Sequence, residues 1–423
     1  MNLSGLSTGQ APPAQAPLLL FAMMPLFISL SGLVIIWQGG DMLVSRWTPG
    51  LLGVTHFLVL GAIAPMMCGS LLQLAPVLLD SPYPRVQQLA RLLFICLGAG
   101  AFGIGTGFVL FQKWLLLSGA VTQIAGFAVF LISTFGVLSR ATARGGYIIT
   151  LRMAHFALLV TAGFGLVLVL VYSGWLAWPM TSYWVDAHLA WGLGGWVGLM
   201  IAGTGIQIIP LFHMCQGFPD WFGRLLPWLV IFILLIVTGV LLLPVSAGYG
   251  HWLLMALLVI HVSFNLFALY CEQKRERLIR DAHLWLWQAS HLTLAGAMLY
   301  QLLSGDSVVV GILLLGSILA FLIGSLLKIL PFLTWLDLQQ QKIRARQRQL
   351  KLPRLMDIQP AWLAYLIAVS FVTAVVLLLA ATMLPILART AGFFVLACGV
   401  LLALLLARAF RTHRKFSAKL SSG

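Results

Sequence analysis

The sequence predicts an all-α polytopic membrane protein, with twelve transmembrane helices arranged as three pseudo-repeated four-helix arcs in the manner of a closed ring. Three observations predict it. The chain of 423 residues is 61% hydrophobic and only 8% charged, and its apolar runs exceed the roughly 20 residues that a helix needs to cross hydrocarbon. One motif occurs three times, as Gly69-Ser-Leu-Leu-Gln73-Leu-Ala-Pro76, Gly203-Thr-Gly-Ile-Gln207-Ile-Ile-Pro210 and Gly324-Ser-Leu-Leu-Lys328-Ile-Leu-Pro331. A repeat of that length sets the architecture before local detail does. Finally, the basic residues alternate from loop to loop: all 25 Lys and Arg except Arg46, Lys113 and Arg389 fall in the loops after even-numbered spans, at the helix ends adjoining them (Arg152 and Lys328 included) or in the C-terminal segment. By the positive-inside rule both termini are cytoplasmic, in a bacterial inner membrane.

Taken in order, residues 1–16 are polar and Pro-rich, without the basic start of a signal peptide, and read as a disordered cytoplasmic tail. The expected spans are 17–37, 49–79, 88–111, 114–138, 148–171, 183–214, 221–243, 248–272, 281–303, 306–336, 359–384 and 386–410, giving repeats of about 17–138, 148–272 and 281–410. Spans two, six and ten carry the motif and are the longest. At ~1.5 Å per residue each reaches ~46 Å, so it must tilt or project from the bilayer. Span three holds Gly98, Gly100, Gly103, Gly105 and Gly107, which allow a neighbouring helix or a flat cofactor to come close. The segment 337–358 reads as a basic inner loop against anionic headgroups, and residues 411–423 as a basic cytoplasmic tail that frays. The five cysteines lie within spans or at their inner ends and form no disulfide framework. The net charge of +15 is accounted for by topology and calls for no nucleic acid.

All ten acidic residues fall in loops or at span ends, which argues against a proton-driven transporter. The interior holds histidine instead. A neutral imidazole keeps one free lone pair, which suits a metal or haem iron, and an interhelical hydrogen bond is the simpler use of it. His56 and His188 lie at matching outer depths on motif helices, and the third motif helix has Gly311 where the first has His56. His56 and His188 are the candidate cofactor ligands, with His261 and His291 near mid-membrane as further ones and His155 as a further metal candidate. The pairs 251/261 and 283/291 are each ~80° apart around a helix, so both members of a pair can face one pocket. His213, His283 and His413 read as solvated or lipid-facing at the inner surface. No phosphate-binding Gly loop and no hydrolase triad is present.

These residues resemble the haem-copper oxidase subunit I superfamily. The pattern His56-x8-Pro65-x3-Gly69-x3-Gln73-x2-Pro76, followed by Pro84-Arg85, is similar to the second helix of those oxidases, where the histidine binds low-spin haem. His188-x2-Trp191 with Gly203, Gln207 and Pro210 resembles the sixth, which supplies a copper ligand. The chain is also similar to the smaller NnrS-type proteins. It departs from the oxidases in two places: span ten has no His-x-His pair and residues 221–243 have no His-His pair. The resemblance therefore implies a divergent relative that holds haem b and/or copper near its outer side. Such a protein would serve electron transfer, with a quinol, a c-type cytochrome or respiratory-chain subunits as partners, or the handling of nitric oxide and respiratory stress. It would not be a standard oxygen reductase. The alternatives are a non-catalytic accessory or assembly scaffold of a respiratory complex and, less favoured, a transporter of a small solute or metal.

Overall fold

The computed structural model describes residues 12–421 apart from 142–144, 179–181, 243–247, 277–280 and 348. Among the described residues there is no strand. The long helices are α1 (Gln15–Leu43), α2 (Pro49–Leu79), α3 (Val86–Val109), α4 (Lys113–Arg140), α5 (Gly146–Tyr172) and α6 (Ser182–His213). They continue as α7 (Asp220–Leu242), α8 (Gly248–Gln273), α9 (Ala282–Leu303), α10 (Ser307–Arg344), α11 (Ala361–Ala381) and α12 (Leu387–Ser421). Eleven of these are long and apolar enough to cross a membrane. The exception is α9, which has the length but carries His283, Gln288, Ser290, His291 and Thr293 among its apolar residues.

The chain closes on itself. The helix α12 packs along α1 as well as along α11, and α3 against α4 and α9 against α10 form the other extensive pairings. Small residues let the backbones meet. A Cβ on Gly32 of α1 would stand 2.5 Å from the Leu396 nitrogen of α12, so no side chain fits between them.

The three motif glycines are used alike. A Cβ on Gly69 would lie 2.8 Å from the Phe21 ring of α1, one on Gly203 3.1 Å from Thr150 of α5, and one on Gly324 2.7 Å from Trp287 of α9. At its motif glycine each motif helix thus packs tightly on the helix immediately before it in the chain. The motif proline lies inside the helix every time. Four residues after Pro76 and Pro210 the chain turns left-handed, at Asp80 (φ 51°) and Met214 (φ 49°), and α2 and α6 end there. After Pro331 it does not, and α10 runs on to Arg344.

Several boundaries differ from the sequence expectation. The helix α10 continues past residue 336 because Asp337 takes hydrogen bonds from Gln341 one turn on (2.6 Å) and from His413 of α12 (2.6 Å). The same contacts hold the segment after residue 410, which does not fray but is helical to Ser421 with Leu420 buried. Residues 1–11 of the expected N-terminal tail lie outside the described residues. The helix starts at Gln15, with Ala14 and Ala16 already buried against the bundle. All five cysteines are free thiols.

Candidate functional site

The bundle has two unlike ends. One carries Arg46, Lys113 and Arg389 and is termed the sparse end, and the other carries the remaining basic helix ends and is termed the basic end. The site lies toward the sparse end, where α2 and α6 leave regular α geometry. His56 closes the α-helical turns Pro49–His56, and Phe57–Ile63 continues as a π-helical segment. His188 lies at the end of Ser182–Leu189, and Ala190–Val197 is again π-helical. Such segments widen the helix, rotate its N-terminal part relative to its C-terminal part, and recur at functional sites. The third motif helix, α10, is α-helical throughout. The two histidine-bearing helices therefore share a deformation that the histidine-free one lacks.

The His56 Nδ1–H donates to the Leu52 carbonyl at 2.7 Å, and its ring leans on Phe108 at 4.9 Å between centroids. Phe108 in turn meets Tyr172 edge-on at 5.5 Å. The His188 Nδ1–H donates to the Thr161 carbonyl of α5 at 3.1 Å. A carbonyl can only accept, so the hydrogen bond fixes the tautomer in both rings and leaves the Nε2 lone pair free. Neither Nε2 makes a hydrogen bond to the described residues. Both imidazoles line one cavity of about 650 Å³.

The walls of the cavity are mostly apolar, with a few polar groups placed along them. At the sparse-end rim Arg46 Nη1 donates to Asp186 Oδ1 at 2.5 Å, and the guanidinium lies over Trp47 at 4.5 Å. Asp186 is two residues from His188, so this ion pair ties the loop before α2 to the second turn of α6, beside the cavity that both imidazoles line. Deeper in, Gln123 of α4 is buried, with neither amide atom hydrogen-bonded. Ser290 and Ser317 share a hydrogen bond at 3.2 Å across α9 and α10. Gly311 also faces the cavity, and a Cβ there would meet nothing within 4 Å.

The other candidate histidines are placed differently. His261 lines the same cavity, but its Nε2–H is spent on the Gly194 carbonyl of the α6 π segment at 2.8 Å, and its ring is wedged against Gly198. His291 is buried away from the cavity with both nitrogens engaged, Nδ1 with Asn265 Oδ1 at 2.6 Å and Nε2 with Glu272 Oε1 at 3.0 Å. His155 lies off the cavity, with Nδ1–H on the Leu151 carbonyl at 2.6 Å and its ring stacked on Phe130. The side chain of His251 lies outside the described residues.

No family model matches this chain, and no curated protein does either. Among the described residues, no three His, Cys, Asp or Glu side chains converge to hold a bare metal ion.

At the basic end the expectation of solvated histidines is corrected. His213 is 5% and His283 3% exposed. Their rings stack at 5.5 Å where the end of α6 meets the start of α9, and His283 Nδ1–H donates to the Gly324 carbonyl at 2.9 Å. Close beside them Asp281 caps α9, accepting from the Leu284 N–H at 3.1 Å and from Lys328 Nζ at 2.6 Å. Burial pushes the Asp281 carboxyl up, but the hydrogen bond and positive charge of Lys328 outweigh it and hold the group below its usual range. His413, the third of these, is paired with Asp337.

Sequence reasoning leads to His56, His188 and His261, which share one cavity. It misses the π segments, the Arg46–Asp186 rim and Gln123. It also places Glu272 at a span end with no partner in view, whereas the residue is 1% exposed and hydrogen-bonded to His291.

Proposed function

We propose that this protein is a divergent relative of haem-copper oxidase subunit I that holds a b-type haem in the cavity beneath the Arg46–Asp186 pair, with His56 and His188 as the residues that would ligate it. The observation that carries the reading is the matched pair of imidazoles. They stand on corresponding motif helices, each beside a π segment, each with Nδ1–H tied to a main-chain carbonyl and Nε2 free at a common cavity. A ring locked through Nδ1 presents Nε2 in a fixed direction, as metal-ligating histidines do. The arrangement favours a porphyrin over a lone copper ion. A porphyrin brings four nitrogens of its own and asks the protein for only one or two, whereas copper would need more donors than converge here. The bound group would supply one-electron chemistry, for electron transfer or for handling a small reactive gas such as nitric oxide. The chain's own residues would orient the ligand nitrogens, exclude water with apolar walls, and place Arg46 and Asp186 at the entrance. The histidine-free α10, with Gly311, and the lack of a His-His pair over residues 221–243 are what distinguish this chain from a standard oxygen reductase.

The test is purification with reduced-minus-oxidised spectra, pyridine haemochrome assay and metal analysis, on the native chain and on His56→Ala and His188→Ala. A Soret band that shifts or vanishes in either variant supports the reading. Well-folded protein with no Soret band removes it and leaves the scaffold alternative, for which co-purification of respiratory-complex subunits is the measurement.

A further inference from the structure

Glu272 sits at the end of a helix, where water is expected, and yet is sealed from it. It is one residue from the end of α8 and is 1% exposed. Its Oε1 accepts from His291 Nε2–H at 3.0 Å, and its Oε2 is buried with no hydrogen bond at all. On the other side of the ring, His291 Nδ1–H donates to Asn265 Oδ1 at 2.6 Å. The orientation of that amide is fixed, because Asn265 Nδ2 donates to the His261 carbonyl at 2.9 Å. With an acceptor at each nitrogen, the carboxyl and the imidazole share one proton between Oε1 and Nε2, and Nδ1 keeps its own.

The cluster also bridges two regions. Asn265 and Ser290, the neighbour of His291, line the cavity. Glu272 lies toward the basic end, among ionisable groups from α6, α8, α9 and α10, while α7, which also packs along α8, carries there only the exposed ion pair of Asp220 and Arg224 at 2.6 Å. The end of α6 brings His213 and, just beyond it, Cys215, while α8 brings Cys271 and the turn after it Arg275, whose Nη1 donates to the Glu272 carbonyl at 2.7 Å. From α9 come His283 and the cap Asp281, and from α10 Lys328, already paired with Asp281. None of them makes a hydrogen bond to Oε2. A buried carboxylate oxygen without a donor is costly, and a proton placed on it removes the charge that makes it so.

We infer that Glu272, His291 and Asn265 form a proton-binding site that loads through Glu272 from the basic end and abuts the cavity through Asn265. In loading, an O–H bond forms at Oε2 and the carboxylate becomes a carboxylic acid beside an imidazolium. In unloading the same bond breaks and the proton returns to water, with no electron transferred. The site thus adds and removes one unit of positive charge next to the cavity wall. It needs no occupant in the cavity, and so stands apart from the porphyrin reading.

The chain itself offers a selective probe, because it contains only two glutamates, Glu272 and the exposed Glu276. Protein labelled with carboxyl-¹³C glutamate and reconstituted into lipid vesicles is monitored by infrared spectroscopy through a pH titration. The expected result is a label-shifted protonated-carboxyl band of a buried acid that grows and fades reversibly with pH, separate from the Glu276 signal. It is absent in Glu272→Gln and displaced in His291→Asn. A Glu272 signal that stays ionised, or stays protonated, at every pH at which the protein is folded overturns the inference, as does one that moves together with Glu276. Should the Glu272→Gln chain fail to fold, the labelled native protein decides alone, since Glu276 is the only other source of the band.

Discussion

Arg46 and Asp186 are joined at 2.5 Å although 140 residues separate them in sequence. Their side chains are only 28% and 20% exposed, and the pair is a polar link between the first motif region and the second at the mouth of the cavity. Arg46→Ala leaves the Asp186 carboxylate half-buried and alone, and is expected to cost about 1 kcal/mol. Asp186→Asn in that background restores part of the loss. Thermal unfolding of the two single variants and the double variant checks this, and strictly additive losses would refute the coupling.

Gly311 stands where a third histidine would complete the series, with open space in front of it. Gly311→Ala is expected to raise stability by about 0.5–1 kcal/mol, since a helix interior favours alanine over glycine and nothing obstructs the methyl group. Gly311→His should fold as the native chain does and place a further imidazole at the cavity. If haem is bound, the expected sign is a changed Soret position in optical spectra.

His261 separates a supporting role from a ligating one. Its bond to the Gly194 carbonyl holds α8 to the π segment of α6. His261→Ala is expected to destabilise by about 1–3 kcal/mol through the lost buried hydrogen bond and the cavity it leaves. Any cofactor spectrum should keep its shape. His56→Ala and His188→Ala should show the converse, a changed spectrum with smaller losses in melting temperature. Spectra and melts on the three variants together decide the assignment.

Asp281 provides an acid-side prediction. Its folded pKa is depressed, so its contribution is fully present above the unfolded carboxylate value, about 3.9, and is lost as pH falls through the lower folded one. Stability should therefore fall with acid in a window at and below about pH 4, and Lys328→Met should flatten that dependence. Asp281→Asn keeps an acceptor for the Leu284 N–H, whereas Asp281→Ala removes the cap and should cost about 1 kcal/mol more. Unfolding measured across the acid range distinguishes the two.

The legible part of this chain is what apolar length and motif repetition control. Long hydrophobic runs are helices, α10 and α12 running well past their expected ends and the others close to theirs, and the shared motif leads to His56 and His188 because residues at matched depth on related helices come to line one cavity. The exceptions have a common cause. Whether a polar residue near a span end is solvated depends on which helix lies across from it, and a one-dimensional pattern does not hold that information. Glu272 has the sequence setting of a terminus and is the partner of a histidine 19 residues on. His213 and His283 have the setting of surface residues and stack on each other. The π segments have no composition that marks them, since a wider turn is set by packing of the whole helix. The extension of α12 to Ser421 depends on Asp337, a residue 76 positions away from His413.

The seam between α1 and α12 has a bearing on how the molecule is made. Ile28 of the first helix and Val395 and Cys398 of the last both border the cavity. During membrane insertion that flank stays unwalled until α12 takes its place. The chamber is therefore walled on that side only once α12 has packed against α1.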